Sequence, residues 1–182
     1  MRKLIIAQYA SLDGVVEAPE QWHFPYADEN MFRTLKQVNS ECDTMLLGRI
    51  TYQVFAQSFA NAPADDPVAA EVNRPAKVLV SSTVTEPTWA RTTVIDGDVV
   101  DRVRRLKEQP GSAILVNGSI RLSRTLLDAG LADEVHLFIH PIVVGRGQRL
   151  FREDGPQIPL AVVTSEVFPT GVLSVRYRVV TD

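Results

Sequence analysis

Two stretches of this chain, "KLIIAQY" at 3–9 and "SAILV" at 112–116, are apolar at consecutive positions. A strand with one wet face alternates apolar and polar residues, so strands like these must be covered on both sides. A mostly parallel sheet with helices on each face meets that demand, and the sequence between the two runs supplies the helices. Further strands are expected at "TMLLG" (44–48), at "AKVLVSS" (76–82) and, shorter, at "TTVI" (92–95). Helices are expected over about 27–40, from near Ile50, over 98–108, and from the Asn117-Gly118-Ser119 loop to Ala129. In the third of these Val99, Val103 and Leu106 share a face, and Gly130 would cap the fourth. Pro19 and Pro25 forbid a regular helix in the loop after the first strand. Residues 60–75, "ANAPADDPVAAEVNRP", read as an exposed connection.

After Asp133 the rhythm changes. "DEVHLFIHPIVVG" (133–145), "PLAVVTSEVF" and "VLSVRYRVV" are long and alternating, and in the last Ser174, Arg176 and Arg178 would form the wet face of an antiparallel strand. The expected architecture is α/β with three layers. A mixed, mostly parallel sheet carries helices on both faces and an antiparallel C-terminal pair, in one domain over 1–182.

Bulk properties exclude several function classes. A net charge of -3 offers no basic field for nucleic acid or anionic membranes. No run approaches the ~20 apolar residues that span a bilayer, and the N-terminal apolar run is too short for a signal peptide, so a cytoplasmic protein is expected. The single Cys42 rules out an intrachain disulfide and a cysteine zinc cluster, and reads as a small core hydrophobe. His136 and His140 share one face of a strand and could bind metal only with ligands from elsewhere; structural histidines, and no metal, are expected.

Chemistry in an open α/β sheet sits beyond the carboxyl ends of the strands, at helix N-termini. Three strands end in residues suited to an anion: Gly48-Arg49-Ile50-Thr51, Ser81-Ser82-Thr83 and Asn117-Gly118-Ser119. Glycines let a phosphate approach the backbone, hydroxyls add hydrogen bonds, and Arg49 offers a planar, permanently charged fork. Each loop alone is more often an ordinary helix cap, and only the three together point to a ligand. Neither G-x-G-x-x-G nor G-x-x-x-x-G-K-[ST] occurs. On the other side of the first strand, Asp28 and Phe32 would place a carboxylate beside a ring that stacks on a flat heterocycle; alternatively Asp28 or Asn30 simply caps the helix.

The order of "SLDGVVE", "LLGRITYQVF", "VLVSSTV" and "ILVNGSIRLSRTLLDAGLADEVHLFIHPIVVGRGQRLF" resembles the dihydrofolate reductase-like superfamily, in particular the reductase domain of bacterial riboflavin biosynthesis and its stand-alone relatives. The resemblance runs nearly the whole chain. It implies NADPH as cofactor, with Gly48, Arg49 and Thr51 at the phosphates of the adenosine end and Arg49 near the 2′-phosphate. Ser81, Ser82 and Thr83 would line the adenosine, Gly118, Ser119 and Ile120 would hold the pyrophosphate, and Ile50 and Val116 would complete the cofactor side. Ala7 and the loop Asp13–Val16, including Gly14 and Val15, would lie by the nicotinamide. "WHFPYADENMF" is similar to the substrate side of dihydrofolate reductase, with one residue more between Trp22 and Asp28, which implies Asp28, Asp13 and Trp22 as catalytic candidates and Phe32 against substrate. Asn117-Gly118-Ser119 stands where the riboflavin reductases often carry Glu-Gly-Gly, which removes a carboxylate from the loop. The implied function is hydride transfer from NADPH to a planar nitrogen heterocycle or a ribosylamino-pyrimidine, by a homodimer; a non-catalytic nucleotide-binding relative and a different α/β enzyme are the alternatives.

Overall fold

The computed structural model describes residues 1–63 and 65–180. Eight strands form one sheet in the order β4-β3-β2-β5-β1-β6-β8-β7. They are β1 (Leu4–Ser11), β2 (Cys42–Gly48), β3 (Ala76–Val80), β4 (Thr92–Ile95), β5 (Ala113–Asn117), β6 (Glu134–His140), β7 (Leu160–Val167) and β8 (Leu173–Val179). The first six are mutually parallel. β8 runs antiparallel to β6, and β7 antiparallel to β8. The apolar runs sit where consecutive apolar residues can all be buried: β1 and β5 are neighbours at the middle of the sheet.

Among the described residues five α-helices cover it: α1 (Glu29–Ser40), α2 (Arg49–Phe59), α3 (Pro67–Asn73), α4 (Val99–Glu108) and α5 (Ile120–Asp128). Leu4, Ile6, Leu46, Ile114 and Val116 pack with Val103 of α4 and with Leu122 and Leu126 of α5. On the opposite face Ile5 and Ala7 meet Val38 of α1, while Met45, Leu47 and Leu79 meet Tyr52 of α2 and Val72 of α3. Successive residues of each parallel strand therefore enter different cores, which is why no polar alternation is visible in them. No helix among the described residues is long and apolar enough to cross a membrane.

Two sequence expectations are corrected. The stretch 60–75 is not all connection, because α3 lies within it: Asp66 accepts from the Val68 and Ala69 amides, Pro67 opens the helix, and Ala69 and Val72 are buried. The Asp-Pro start was the available signal, hidden by a composition that also suits a loop. In β8, Ser174 and Arg176 are not a wet face. Ser174 is buried against His136, their Oγ and Nε2 2.8 Å apart. Arg176 donates to both oxygens of Glu41 (2.8 and 2.6 Å) and to Glu134 (2.6 Å). Ser174 is buried and Arg176 half-buried because each has a partner on β6 or at the end of α1, whereas Leu173 at the strand's start is exposed. On the edge strand β7, Val162, Val163 and Val167 are exposed.

All three histidines are held neutral by burial. His136, pushed down to about 4, also feels the Arg176 charge, and His23 and His140 are lowered in the same direction. The unfolded chain takes up these protons near pH 6.5 and the native protein only below it, so stability is complete above about 6.5 and declines as pH falls toward 4. Urea midpoints measured between pH 7 and 5 should fall. His136→Gln should reduce the slope by at most one proton's worth, about 1.4 kcal/mol per pH unit. A midpoint flat over that range in the wild type contradicts the assignment.

Candidate functional site

The tips of β3, β2 and β5 are contiguous, as strand order places them side by side. Two of the tips are tied together. The Gly48 N–H donates to Ser119 Oγ (3.0 Å), and the Ser119 N–H donates to Thr51 Oγ1 (3.0 Å). A Cβ on Gly118, where φ is +61°, would stand 3.2 Å from Thr51 Cγ2, so the backbone conformation and the close approach of the two tips both favour glycine there. Gln8, a buried amide in an otherwise apolar strand, props the turn from below by donating to the Gly118 carbonyl and to Ser123 Oγ (3.2 Å). Its polarity inside β1 was a sequence signal that motif reading passed over.

The helices that leave these tips differ from the other three. α1, α3 and α4 are each capped by an aspartate, Asp28, Asp66 and Asp98. α2 begins at Gly48 and α5 at Ser119 with no side-chain cap. The first-turn amides of α2 and α5 are therefore not satisfied by a capping side chain, and the positive ends of both helix dipoles meet the same crevice. Ser119 itself is left-handed (φ 55°), a conformation costly for a non-glycine residue and held here by its two hydrogen bonds.

Outward from the tied tips lies a cleft of about 320 Å³ lined by Arg49, Val80, Ser81, Ser82, Thr83, Asp96 and Gly97. That volume is in the range of small-ligand sites. The buried Ser81 hydroxyl accepts from the Thr83 and Val84 amides and shapes the turn, leaving Ser82 and Thr83 exposed. Arg49 is exposed; its guanidinium donates to Gln53 of its own helix (3.1 Å) and, among the described residues, meets no carboxylate. Ile50 is also exposed, and Ile120 is half-buried. Val116 is fully buried under α5, so its side chain lies in the core and not in the cleft.

On the other side of β5, Ala7 is buried facing α1, and its carbonyl accepts from the Gly118 N–H (3.2 Å). The loop after β1 is zipped to the 142–149 turn. Asp13 accepts from Ser11 Oγ (2.6 Å) and from the Val144 and Gly145 amides (3.0 and 2.8 Å). These bonds, led by that from Ser11, lower its pKa to about 2. A carboxylate so committed fastens the loop, and the catalytic candidate Asp13 is engaged in the loop's own hydrogen bonds. Val15 pairs with Arg149, and a Cβ on Gly147 would lie 2.7 Å from Val15 Cγ1, so the G-x-G turn serves this contact. Gly14 takes the positive φ of the turn at this loop's start.

Asp28 is likewise engaged, accepting the Met31 N–H at 2.8 Å as the α1 cap, with Thr170 at 3.5 Å from its second oxygen. The capping alternative describes its geometry. Phe32, one turn on, is exposed. Trp22 is buried, donates to the Glu17 carbonyl (3.2 Å) and meets His140 edge-on at 5.2 Å. Tyr9, His23 and Tyr26 complete a ring of aromatic contacts around His140. No group of three potential metal ligands occurs among the described residues.

A mostly parallel sheet with helices on both faces, closed by an antiparallel C-terminal pair, is the dihydrofolate reductase-like fold. The chain belongs to the RibD C-terminal domain family, whose model matches residues 2–174. It is 29% identical over 185 residues to the uncharacterized protein YyaP of Bacillus subtilis strain 168, covering 97% of this chain and 95% of that one. A pyrimidine reductase-like protein from Corynebacterium diphtheriae superposes with a TM-score of 0.72 at 17% identity, covering 100% of this chain and 93% of that one. Dihydrofolate reductase from Enterococcus faecalis, complexed with NADP(H), superposes with a TM-score of 0.65 at 14% identity over 97% of this chain and 96% of that one.

Proposed function

We propose that this protein is an NADPH-dependent reductase acting on a planar nitrogen heterocycle or a ribosylamino-pyrimidine. The observation that carries the reading is the contiguous trio of tips, with two uncapped helix starts at its centre and an arginine free of carboxylate partners at its outer cleft. Those residues fit a dinucleotide phosphate. The amides of α2 and α5 suit the pyrophosphate, Arg49 the 2′-phosphate, and the turn at Ser81–Thr83 the adenosine. When bound, NADPH supplies the hydride from C4 of its nicotinamide. The chain's own task is positioning: Ala7 and the fastened loop after β1 wall the reacting face, and Asp13 holds that loop shut against the 144–145 turn. Phe32, exposed on α1, is the ring available to a flat substrate.

A specific observation favours the second reading, a nucleotide-binding relative without turnover. Asp13 and Asp28, the two carboxylates the resemblance offers for catalysis, are both occupied by structural hydrogen bonds. One experiment separates the two. NADPH should raise the melting temperature under either reading, whereas steady NADPH oxidation with a panel of pterins and ribosylamino-pyrimidines is expected only of the reductase. No NADPH-induced shift at millimolar concentration would sink both.

A further inference from the structure

The cleft beyond Arg49 contains a second charge, Asp96, the residue that follows β4. Other aspartates have employment in the fold: Asp28, Asp66 and Asp98 cap helices, and Asp43 and Asp133 hold Arg2 and Lys107. Among the described residues Asp96 meets no donor and no cation, although Arg49 lines the same cleft. Two opposite charges that share a cleft without pairing leave a gap between them. That gap is bounded by the exposed Ser82 and Thr83 and walled by Val80 and Val99. Apolar walls beside an exposed acceptor suit a ring that carries an amine.

We propose that Asp96 reads the base of the dinucleotide, accepting a hydrogen bond from the exocyclic amine of adenine. The inference rests on the NADPH reading and specifies its outer end. β4 lies two strands outward from β2, roughly 10 Å across the sheet. A phosphate held by Arg49 at the β2 tip therefore leaves the attached ribose over β3 and directs the base toward β4. The opposite orientation would set the Asp96 carboxylate against a phosphate, where like charges repel. A carboxylate is acceptor-only, so it suits an amine and opposes a carbonyl oxygen at the same ring position.

The test needs no substrate. The full-length protein is titrated with NADPH and with its hypoxanthine analogue, in which a carbonyl oxygen replaces the adenine amine, following nicotinamide fluorescence. The wild type should bind NADPH roughly tenfold more tightly than the analogue, the low end for a charge-assisted hydrogen bond at an exposed site. Asp96→Asn should bring the two within about twofold, because a carboxamide both donates and accepts. It should leave the NADPH-to-NADH ratio, which Arg49 governs, unchanged. Equal affinity of the wild type for NADPH and the analogue overturns the assignment, as does tighter NADPH binding by Asp96→Asn. Failure of the wild type to bind NADPH at all overturns the reductase reading itself, and is a different result from either.

Discussion

Arg49→Ala is expected to weaken NADPH binding by roughly 10- to 30-fold while leaving NADH binding nearly unchanged. The size follows from the interaction lost. A hydrogen bond to a charged group contributes about 1.5–3 kcal/mol net, and each 1.4 kcal/mol is tenfold in affinity. Arg49 is exposed at the start of α2, so its contribution belongs toward the low end of that range. The substitution disturbs little else, because the only side-chain hydrogen bond Arg49 makes among the described residues runs to Gln53 in its own helix. Alanine is also a good helix former. Fluorescence titration with both cofactors checks it. Equal affinity of the wild type for NADPH and NADH, or a variant that loses both alike, removes Arg49 from the 2′-phosphate. Lysine at this position should recover only part of the difference, since an ammonium lacks the two-pronged geometry.

The second large effect concerns the fold. Arg176 links β8 to Glu134 on β6 and to Glu41 at the end of α1, and it and Glu134 are largely buried. Removing one partner of a buried pair leaves a charge without compensation, a loss of about 3–5 kcal/mol. Lys3 remains on Glu134 at 2.8 Å, which keeps Arg176→Ala near the low end, about 3 kcal/mol. For a chain of this size that corresponds to a fall in Tm of roughly 6–12 °C. A variant melting within 2 °C of the wild type would show that Glu134 finds another partner or takes up a proton. Burial pushes the Glu134 pKa up, but the hydrogen bonds and charges of Lys3 and Arg176 together hold it below the ordinary carboxylate value. That stability is present above the unfolded pKa and is lost as pH falls through the lower folded one. The Tm difference between wild type and Arg176→Ala should accordingly shrink in acid.

Much of the architecture was legible because it depends on properties local to the chain. Consecutive apolar residues in "LIIA" and "AILV" demanded cover on two faces, and β1 and β5 lie at the middle of the sheet. The resemblance of the motif series to riboflavin-type reductases agrees with the family match. α3 escaped because seven residues rich in alanine carry too weak a periodicity to stand out from a loop. Ser174 and Arg176 were misplaced because alternation tells which residues share a face and not which face is wet. Arg176 turns inward only because Glu41 and Glu134, 135 and 42 positions away, are waiting there.

The candidate site divides along the same line. Residue type alone marked Arg49, the hydroxyls and the glycines as fit for an anion, since their chemistry is intrinsic. Whether a given carboxylate was free was not intrinsic. Asp28 and Asp13 are occupied by amides at 2.8–3.0 Å, from Met31 nearby and from Val144 and Gly145 across the fold, while Asp96, in no motif, stands open in the cleft. Sequence determines what a side chain is able to bind; the folded chain decides which partners reach it first, because a hydrogen bond needs its two atoms within about 3 Å and only the tertiary structure sets that distance.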